Sequence, residues 1–490
     1  MFYPAKQVRL RAAALLACVN LVLAPVHANE DLQIPDLGDA SSGIISPEME
    51  RRIGEDFLKQ IHAALPTVQD PILNYYVDVH MSQLAAHSQL RERVLSTVVI
   101  DSQEINAFAA PGGVVGINAG LLLHAQDVHE YSSVVAHELA HLSQRHFARG
   151  LEEARAQALP TLAALIAAIA IGAMGGGDAG IAALSTAQAA SQARQLRYSR
   201  TREQEADRIG LQTVVRSGLD PAGMGRMFER MQSAYRFTRK PPEFLLTHPL
   251  TDSRISDARQ QSQSLNYEPR RRGEQLSELD YALMRARVQV TYTDDPKQIV
   301  KQFEKALARD PKNLAAEYGL ALALSKSGNH KRALAVTESL HGSDRQNILY
   351  MATHAEALIE AGQPEEAARI LSHQLVINPD NAPLTILYAQ ALVGDERYHE
   401  AQAVLERQSL VRRNDVNVWY ELAEVAGLAG DVIAVHRARA EFFVLHGGYS
   451  RAIQHLEYAQ RLVSRADHRL RAQIDQRIRD LRTALMEATG

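Results

Sequence analysis

Cysteine is almost absent from this chain of 490 residues, in which Cys18 is the only one. Cys18 lies in a segment that we predict is removed from the mature protein. A mature chain without a thiol suits an oxidising compartment, where a stray thiol is a hazard. The sequence "LLAC" that ends at Cys18 is a faint match to a lipoprotein site, but the apolar run continues past it.

An excess of basic charge is also missing, since the formal net charge is −4 with 22% charged and 46% hydrophobic residues. This composition is typical of a globular protein, and it offers no strongly basic surface for nucleic acid. Nucleic acid is therefore excluded as a partner. The length exceeds what one hydrophobic core organises, so we expect two or three folded units.

The first 28 residues have the three parts of a signal peptide. Lys6, Arg9 and Arg11 are basic, residues 12–25 are apolar, and "VHA" at 26–28 has the small residues that a signal peptidase needs. We predict cleavage after Ala28 and export of the remaining chain.

No later apolar run reaches the roughly 20 residues that cross a bilayer. The longest, from Leu162 to Met174, carries no polar side chain and lies between Pro160 and a run of three glycines. Three interpretations of residues 159–190 stay open: a buried or membrane-touching helical hairpin with peripheral membrane contact, a mobile flap, and a true span.

Residues 46–123 predict helices followed by a small sheet. Ser46 and Pro47 are typical of a helix start, and the β-branched run at 93–102 predicts a strand. Residues 106–123 predict a strand, a Pro-Gly-Gly interruption, and a second strand or turn leading into a helix. The fold class is thus mainly α with a small β-sheet, an α+β unit at residues 29–270.

The last third of the chain is periodic, and its period of about 34 residues is that of tetratricopeptide repeats. Repeats begin near Tyr281, after a junction at 263–275, and predict an α-solenoid at residues 280–485. Small residues recur where the paired helices of such repeats touch, and turn residues recur between them. The alanines are Ala321, Ala355, Ala389 and Ala423, and the turn residues are Gly328, Gly362, Glu396 and Gly430.

The sequence "SVVAHELAHLSQRHF" at 132–146 places two histidines four residues apart in an apolar helix. Four residues advance a helix by about 400°, so His137 and His141 share a face and can hold one ion. Glu138, beside them, can take a proton from water. This is the H-E-x-x-H pattern of zinc peptidases, and burying three such groups without partners would cost several kcal/mol.

A catalytic zinc site needs a third protein ligand. His146 is nine residues from His137, which on a continuous helix predicts the opposite face. The sequence "SRTREQEADRIG" at 199–210 offers Glu203 and Asp207, which share a face at four-residue spacing. We predict Glu203 as the ligand and Asp207 as the partner of a ligand histidine. Glu205 is the rival ligand.

These motifs together resemble the zinc metallopeptidase family that includes the CAAX prenyl proteases and the heat-shock membrane peptidases. They are "NAFAAPGGVVGINAGLL", "HELAH" followed by "RH", and "SRTREQEAD". With a signal peptide and a tetratricopeptide array, the chain is most similar to periplasmic members of this family. The resemblance implies one Zn²⁺ held by His137, His141 and Glu203, with Glu138 as the base.

The resemblance also implies roles for residues outside these motifs. His248 and Arg254 match a His-Pro pair and a downstream arginine of the family, and they could stabilise a developing oxyanion. His248 has two other interpretations, a latch on the fourth zinc position and a plain structural histidine. The stretch from Ala109 through Ala110, Pro111 and Gly112 to Gly113 is expected to bind substrate backbone.

Three classes of function remain at this stage. The resemblance implies a periplasmic zinc endopeptidase that degrades misassembled outer-membrane β-barrel proteins, with repeats that bind these clients and their assembly machinery. The second class is a chaperone or adaptor that uses the repeat surface, with proteolysis latched or minor. The third is an inactive scaffold, which the intact set of His137, Glu138, His141 and Glu203 argues against.

Overall fold

A computed structural model describes residues 45–93, 95–150, 200–236, 243–268 and 276–489. The predicted signal peptide, the apolar segment 159–190 and residues 269–275 of the predicted junction lie outside the described residues. Among the helices that are described, none is both long and apolar enough to cross a membrane.

Helices surround a small sheet in the first half of the chain. Helix α1 begins where the Ser46 hydroxyl accepts a hydrogen bond from the Met49 amide, as predicted, and it buries Ile53, Phe57 and Ile61. The elements are α1 (Pro47–Ala64), α2 (Pro71–His87), β1 (Ser96–Ile100), β2 (Ala107–Ala110), β3 (Val114–Asn118), α3 (Ala119–His124), α4 (Val128–Ser143), α5 (Arg200–Arg216), α6 (Ala222–Arg236), α7 (Glu243–Thr247) and α8 (Asp252–Ser264).

The described sheet has three strands in the order β1-β3-β2. Strand β3 runs parallel to β1, with Ser96 opposite Val114, and antiparallel to β2, with Ala107 opposite Ile117. A 3₁₀ turn at Pro111–Gly113 joins β2 to β3, and its two glycines have positive φ angles of 71° and 78°. The predicted Pro-Gly-Gly interruption between strands is confirmed. Strand β2 is the edge strand that contacts α4.

The second half of the chain is a series of antiparallel helix pairs, which confirms the predicted tetratricopeptide array. Four successive pairs have first helices that begin one repeat period apart, at Leu314, Ile348, Ala382 and Val416. The repeated alanines in these helices are at most 3% exposed. The helices are α9 (Glu278–Thr291), α10 (Pro296–Arg309), α11 (Leu314–Lys326), α12 (His330–Ser343), α13 (Ile348–Glu360), α14 (Pro364–Ile377), α15 (Ala382–Gly394), α16 (Tyr398–Val411), α17 (Val416–Leu428), α18 (Val432–Leu445), α19 (Tyr449–Leu462) and α20 (His468–Thr489).

The repeats pack against the helices around the sheet. The hydroxyl of Tyr281 on α9 donates to the carbonyl oxygens of Leu122 and Ala125, each at 2.9 Å. Farther along the array, Arg412 forms a 3.0 Å ion pair with Asp78 of α2. One hydrophobic core extends from α2 into α18. The limits of the two predicted domains stay a prediction.

Candidate metal centre

The H-E-x-x-H motif lies on α4, which is buried against α5. His137, Glu138 and His141 are each at most 2% exposed. A Cβ atom at Gly210 of α5 would lie 3.2 Å from the backbone nitrogen and Cα of His137, so the missing side chain lets the two helices approach closely. This approach brings the first turns of α5, which carry Glu203, to the histidines.

Two imidazoles and one carboxylate meet at the centre of the site. The Nε2 atoms of His137 and His141 are 3.0 Å apart, and each lies 3.5 Å from a different oxygen of Glu203. Ligand atoms bound tetrahedrally to zinc at about 2.0–2.1 Å are separated by about 3.3 Å. The donor types and their spacing therefore fit a zinc ion.

His248 completes this donor set. Its Nδ1 atom lies 3.4 Å from His137 Nε2 and 3.2 Å from a Glu203 oxygen. One donor atom from each of the four residues falls within 4.8 Å of the others. His248 Nε2 is 3.5 Å from the Glu138 carboxylate. His248 is thus a fourth potential metal ligand, and it lies next to Glu138.

Helix α7 encloses the site. The ring of Phe244 stacks on His248 with centroids 4.6 Å apart, and sequence reasoning did not identify this aromatic contact. The Phe244 amide donates to the carbonyl of Ile105, two residues before β2. His248 is only 1% exposed, so its ring is shielded from solvent.

Asp207 and Arg254 contact two of the potential metal ligands, His137 and Glu203. Asp207 Oδ1 lies 2.9 Å from His137 Nδ1, the ring nitrogen that faces away from the other donors. The Arg254 guanidinium donates to both oxygens of Asp207, and its Nη1 lies 2.9 Å from Glu203. Arg254 therefore contacts both the Asp207 and the Glu203 carboxylate.

The charge states of these groups follow from their contacts. Burial disfavours charged His137, but Asp207 and Glu203 outweigh burial and raise the pKa of His137 to about 9. Burial also opposes ionised Glu203, yet His248 and His137 hold the pKa of this carboxyl well below its usual range. Burial and charged His137 lower the pKa of His141. Ionised Glu203 and neutral His141 are ready to bind a cation, whereas His137 would have to release its proton when a metal binds.

Glu138 has no comparable support. Burial raises the pKa of its carboxyl, while the charges of His248 and His137 oppose the rise. Its polar neighbours are the backbone of Ala109 and His248 Nε2 at 3.5 Å, and neither forms a well-aligned hydrogen bond with it. A buried carboxylate without such partners is destabilising, and such groups concentrate at functional sites.

The predicted substrate-binding stretch divides into two parts. Ala109 and Ala110 belong to β2, the strand that contacts α4. The turn Pro111–Gly113 packs against α1, where a Cβ atom at Gly54 would lie 2.2 Å from the Pro111 carbonyl oxygen. The β2 part contacts the motif helix, and the turn contacts α1.

Sequence reasoning placed His146 on the far side of the motif helix, and this placement is wrong. Helix α4 ends at Ser143, and Arg145 has a positive φ of 49°. The resulting turn brings His146 next to His141. His146 Nδ1 lies 2.8 Å from His141 Nδ1, and its Nε2 lies 3.1 Å from Glu205. No sequence signal predicts a left-handed arginine, since glycine is the usual residue there.

Comparison with known proteins gives family matches in both halves of the chain. Residues 71–262 match the model of peptidase family M48, and residues 358–425 match a tetratricopeptide repeat model. The first match contains all of the residues that form the candidate metal centre.

Relatives of known name match almost the whole chain. A putative β-barrel assembly-enhancing protease of Vibrio cholerae is 32% identical over 94% of this chain and 96% of its own length. The β-barrel assembly-enhancing protease of Escherichia coli K12 is 30% identical over 95% of each chain. The mitochondrial metalloendopeptidase OMA1 of Bos taurus is 35% identical over 31% of this chain and 29% of its own length.

Proposed function

Since this chain belongs to peptidase family M48 and is a metalloprotease, we propose that it is a periplasmic zinc endopeptidase that cleaves misassembled outer-membrane β-barrel proteins and assists their assembly. Residues 29–270 form the peptidase domain in this proposal. Residues 280–485 form the repeat domain, which binds clients and their assembly machinery. The names of the relatives support the substrate class, and the predicted signal peptide supports the compartment.

The observation that most supports this proposal is that α4 and α5 bring their metal-ligand atoms together. His137 and His141 from α4 and Glu203 from α5 present donors 3.0–3.5 Å apart in a buried site. Zinc bound there would polarise a peptide carbonyl and make water a stronger acid. Glu138 takes the proton of the attacking water and delivers it to the leaving amine.

The edge strand β2 supports a way to bind substrate. In the described part of the chain it pairs with β3 on one side only, and it contacts the motif helix. An extended client segment can add to such an edge through main-chain hydrogen bonds, which depend little on side chains. Ala109 and Ala110 would then hold the substrate backbone beside Glu138.

A latched site would favour the second function, in which the protein is chiefly a chaperone or adaptor. His248 Nδ1 lies 3.2–3.4 Å from Glu203 and His137, at the corner that an attacking water would need. We propose that His248 holds the site at rest and that a client displaces it together with α7. Arg254 keeps Glu203 and Asp207 in place in both states.

The substitution Glu138→Gln tests the proposal and separates the two functions. We expect cleavage of an unfolded β-barrel protein to fall by about 100-fold or more, because the base is lost. Bound zinc, measured by elemental analysis, should stay near one ion per chain. Support of barrel assembly in cells that carry Glu138→Gln would show that the repeats act without proteolysis.

A matched substitution controls for the loss of a negative charge. Glu229→Gln changes a partly exposed residue on α6, outside the metal centre, and should leave cleavage unchanged. Full cleavage by Glu138→Gln would contradict the proposed base, and a purified wild-type protein without metal would contradict the zinc site.

A further inference from the structure

Two ligand histidines of the candidate metal centre present their outer ring nitrogens to different groups. His137 Nδ1 faces the Asp207 carboxylate at 2.9 Å, whereas His141 Nδ1 faces the ring of His146 at 2.8 Å. A metal-binding histidine is usually held by a partner at its second nitrogen, which fixes the tautomer and the ring direction. His141 therefore has a second histidine where His137 has a carboxylate.

A turn after α4 creates this contact. Arg145 adopts a left-handed backbone conformation with φ of 49°, and its guanidinium contacts Glu50 and the carbonyl oxygen of Ile45 at 2.8 Å. The ring of His146 then lies almost perpendicular to the ring of His141, with centroids 4.8 Å apart and an interplanar angle of 74°. His146 is fully buried, so water does not replace this contact.

The tautomers in this chain of contacts follow from the donor and acceptor roles. If His141 binds a cation through Nε2, its Nδ1 carries the proton and must donate. His146 Nδ1 must then accept, so the proton of His146 is on Nε2. That N–H faces an oxygen of Glu205 at 3.1 Å, and an ionised carboxylate can only accept. Arg149 contacts the same Glu205 oxygen at 3.1 Å.

We propose that His146 is a positioning residue that fixes the tautomer and direction of the ligand His141, and that Glu205 holds His146 in the tautomer this requires. The inference rests on the proposed zinc site. It gives Glu205 a role in the site that is different from that of a metal ligand.

Zinc affinity of the full chain, measured by competition with a chromophoric chelator, tests the inference. His146→Phe keeps a ring but removes the acceptor, and we expect the zinc dissociation constant to rise about 10–100-fold. His146→Asn places an amide oxygen where Nδ1 was, so it should restore most of the affinity. His399→Phe, at an exposed position in the repeats, should bind zinc as the wild type does.

A spectroscopic readout separates positioning from a merely structural role. With Co²⁺ in place of zinc, His146→Phe should change the visible absorption bands, while His146→Asn should largely keep them. If His146→Phe lowers only the melting temperature of the metal-free protein, and keeps wild-type zinc affinity and cobalt bands, the inference is wrong.

The variant Glu205→Ala and the wild-type protein provide two further tests of the inference. Glu205→Ala leaves the His146 ring in place, and we expect it to weaken zinc binding several-fold. If His146→Phe does not fold and Glu205→Ala binds zinc normally, the inference is also wrong. A wild-type protein that binds no zinc would overturn the proposed function together with this inference, whereas normal binding by all variants would overturn the inference alone.

Discussion

The guanidinium group of Arg254 binds the carboxylate of Asp207 through two hydrogen bonds of 2.7 Å. Asp207 is 5% exposed, and its Oδ1 also lies 2.9 Å from Nδ1 of His137. An aspartate held by an arginine in this bidentate manner has little freedom to turn. Arg254 of α8 therefore holds in place the Asp207 carboxylate that lies beside His137.

Asp207→Asn should weaken metal binding without removing a ligand. The amide loses the negative charge that orients His137 and pairs with Arg254, so we expect the zinc dissociation constant to rise about 10–100-fold. Chelator competition measures this change. Asp252→Asn, at an exposed position on α8, is the matched control. Equal affinity in Asp207→Asn and the control would show that this carboxylate does not position the ligand.

His248→Ala should increase proteolysis if His248 latches the site. The substitution frees the corner beside Glu203 and His137, so we expect several-fold faster cleavage of a folded-state client at unchanged zinc content. Cleavage is followed by gel electrophoresis at equal protein concentrations. Unchanged or slower cleavage would remove the latch and favour a catalytic or structural role for this histidine.

Acid should destabilise the fold through His80, which is 2% exposed on α2. Burial lowers its pKa to about 3, and its ring nitrogens contact the hydroxyls of Ser132 at 2.9 Å and Tyr76 at 3.3 Å. Below about pH 6.5 the unfolded chain binds a proton at this residue that the folded protein does not bind. The free energy of unfolding therefore falls as pH falls from 6.5 towards 3, by about 2 kcal/mol at pH 5.

Comparison of two asparagine variants isolates this effect. His80→Asn removes the titrating ring, so its stability deficit relative to the wild type should shrink between pH 7.5 and pH 5. His399→Asn, at an exposed site, should follow the wild-type curve in parallel. Denaturant midpoints across this pH range give both curves, and a constant deficit for His80→Asn would contradict the assignment.

Glu396→Gly should stabilise the repeats. Glu396 has a positive φ of 59° at the turn where the neighbouring repeats have Gly362 and Gly430, at 75° and 78°. Left-handed backbone costs a residue with a side chain about 1–2 kcal/mol, and the greater freedom of unfolded glycine offsets part of this. We expect a gain of about 0.5–1 kcal/mol in the free energy of unfolding, measured by urea denaturation.

The reverse substitution at the equivalent turn is the control. A Cβ atom at Gly362 would meet nothing within 4 Å, so Gly362→Ala tests only the backbone conformation. It should destabilise the repeats by about 1 kcal/mol. If Glu396→Gly lowers stability, other contacts of this glutamate outweigh the strain at its turn.

The repeats and the short sheet could be predicted because their patterns are local. Alanines that recur at the tetratricopeptide period keep the same place in each helix pair, and β-branched runs with a Pro-Gly-Gly interruption specify strands and their turn. The motif helix followed from its histidine spacing for the same reason. Phe244 could not be predicted as a neighbour of His248 and His137, because an aromatic residue beside a His-Pro pair has no distinguishing spacing.

The sequence by itself determined which side chains of one helix share a face, so it was enough to pair His137 with His141 and Glu203 with Asp207. Only the tertiary structure decided how the two helices meet, through the missing side chain of Gly210, and that His146 turns back onto His141 after Arg145. Helical periodicity is set by backbone geometry within a few residues, whereas these contacts depend on packing between distant segments and on one left-handed residue that glycine would usually occupy.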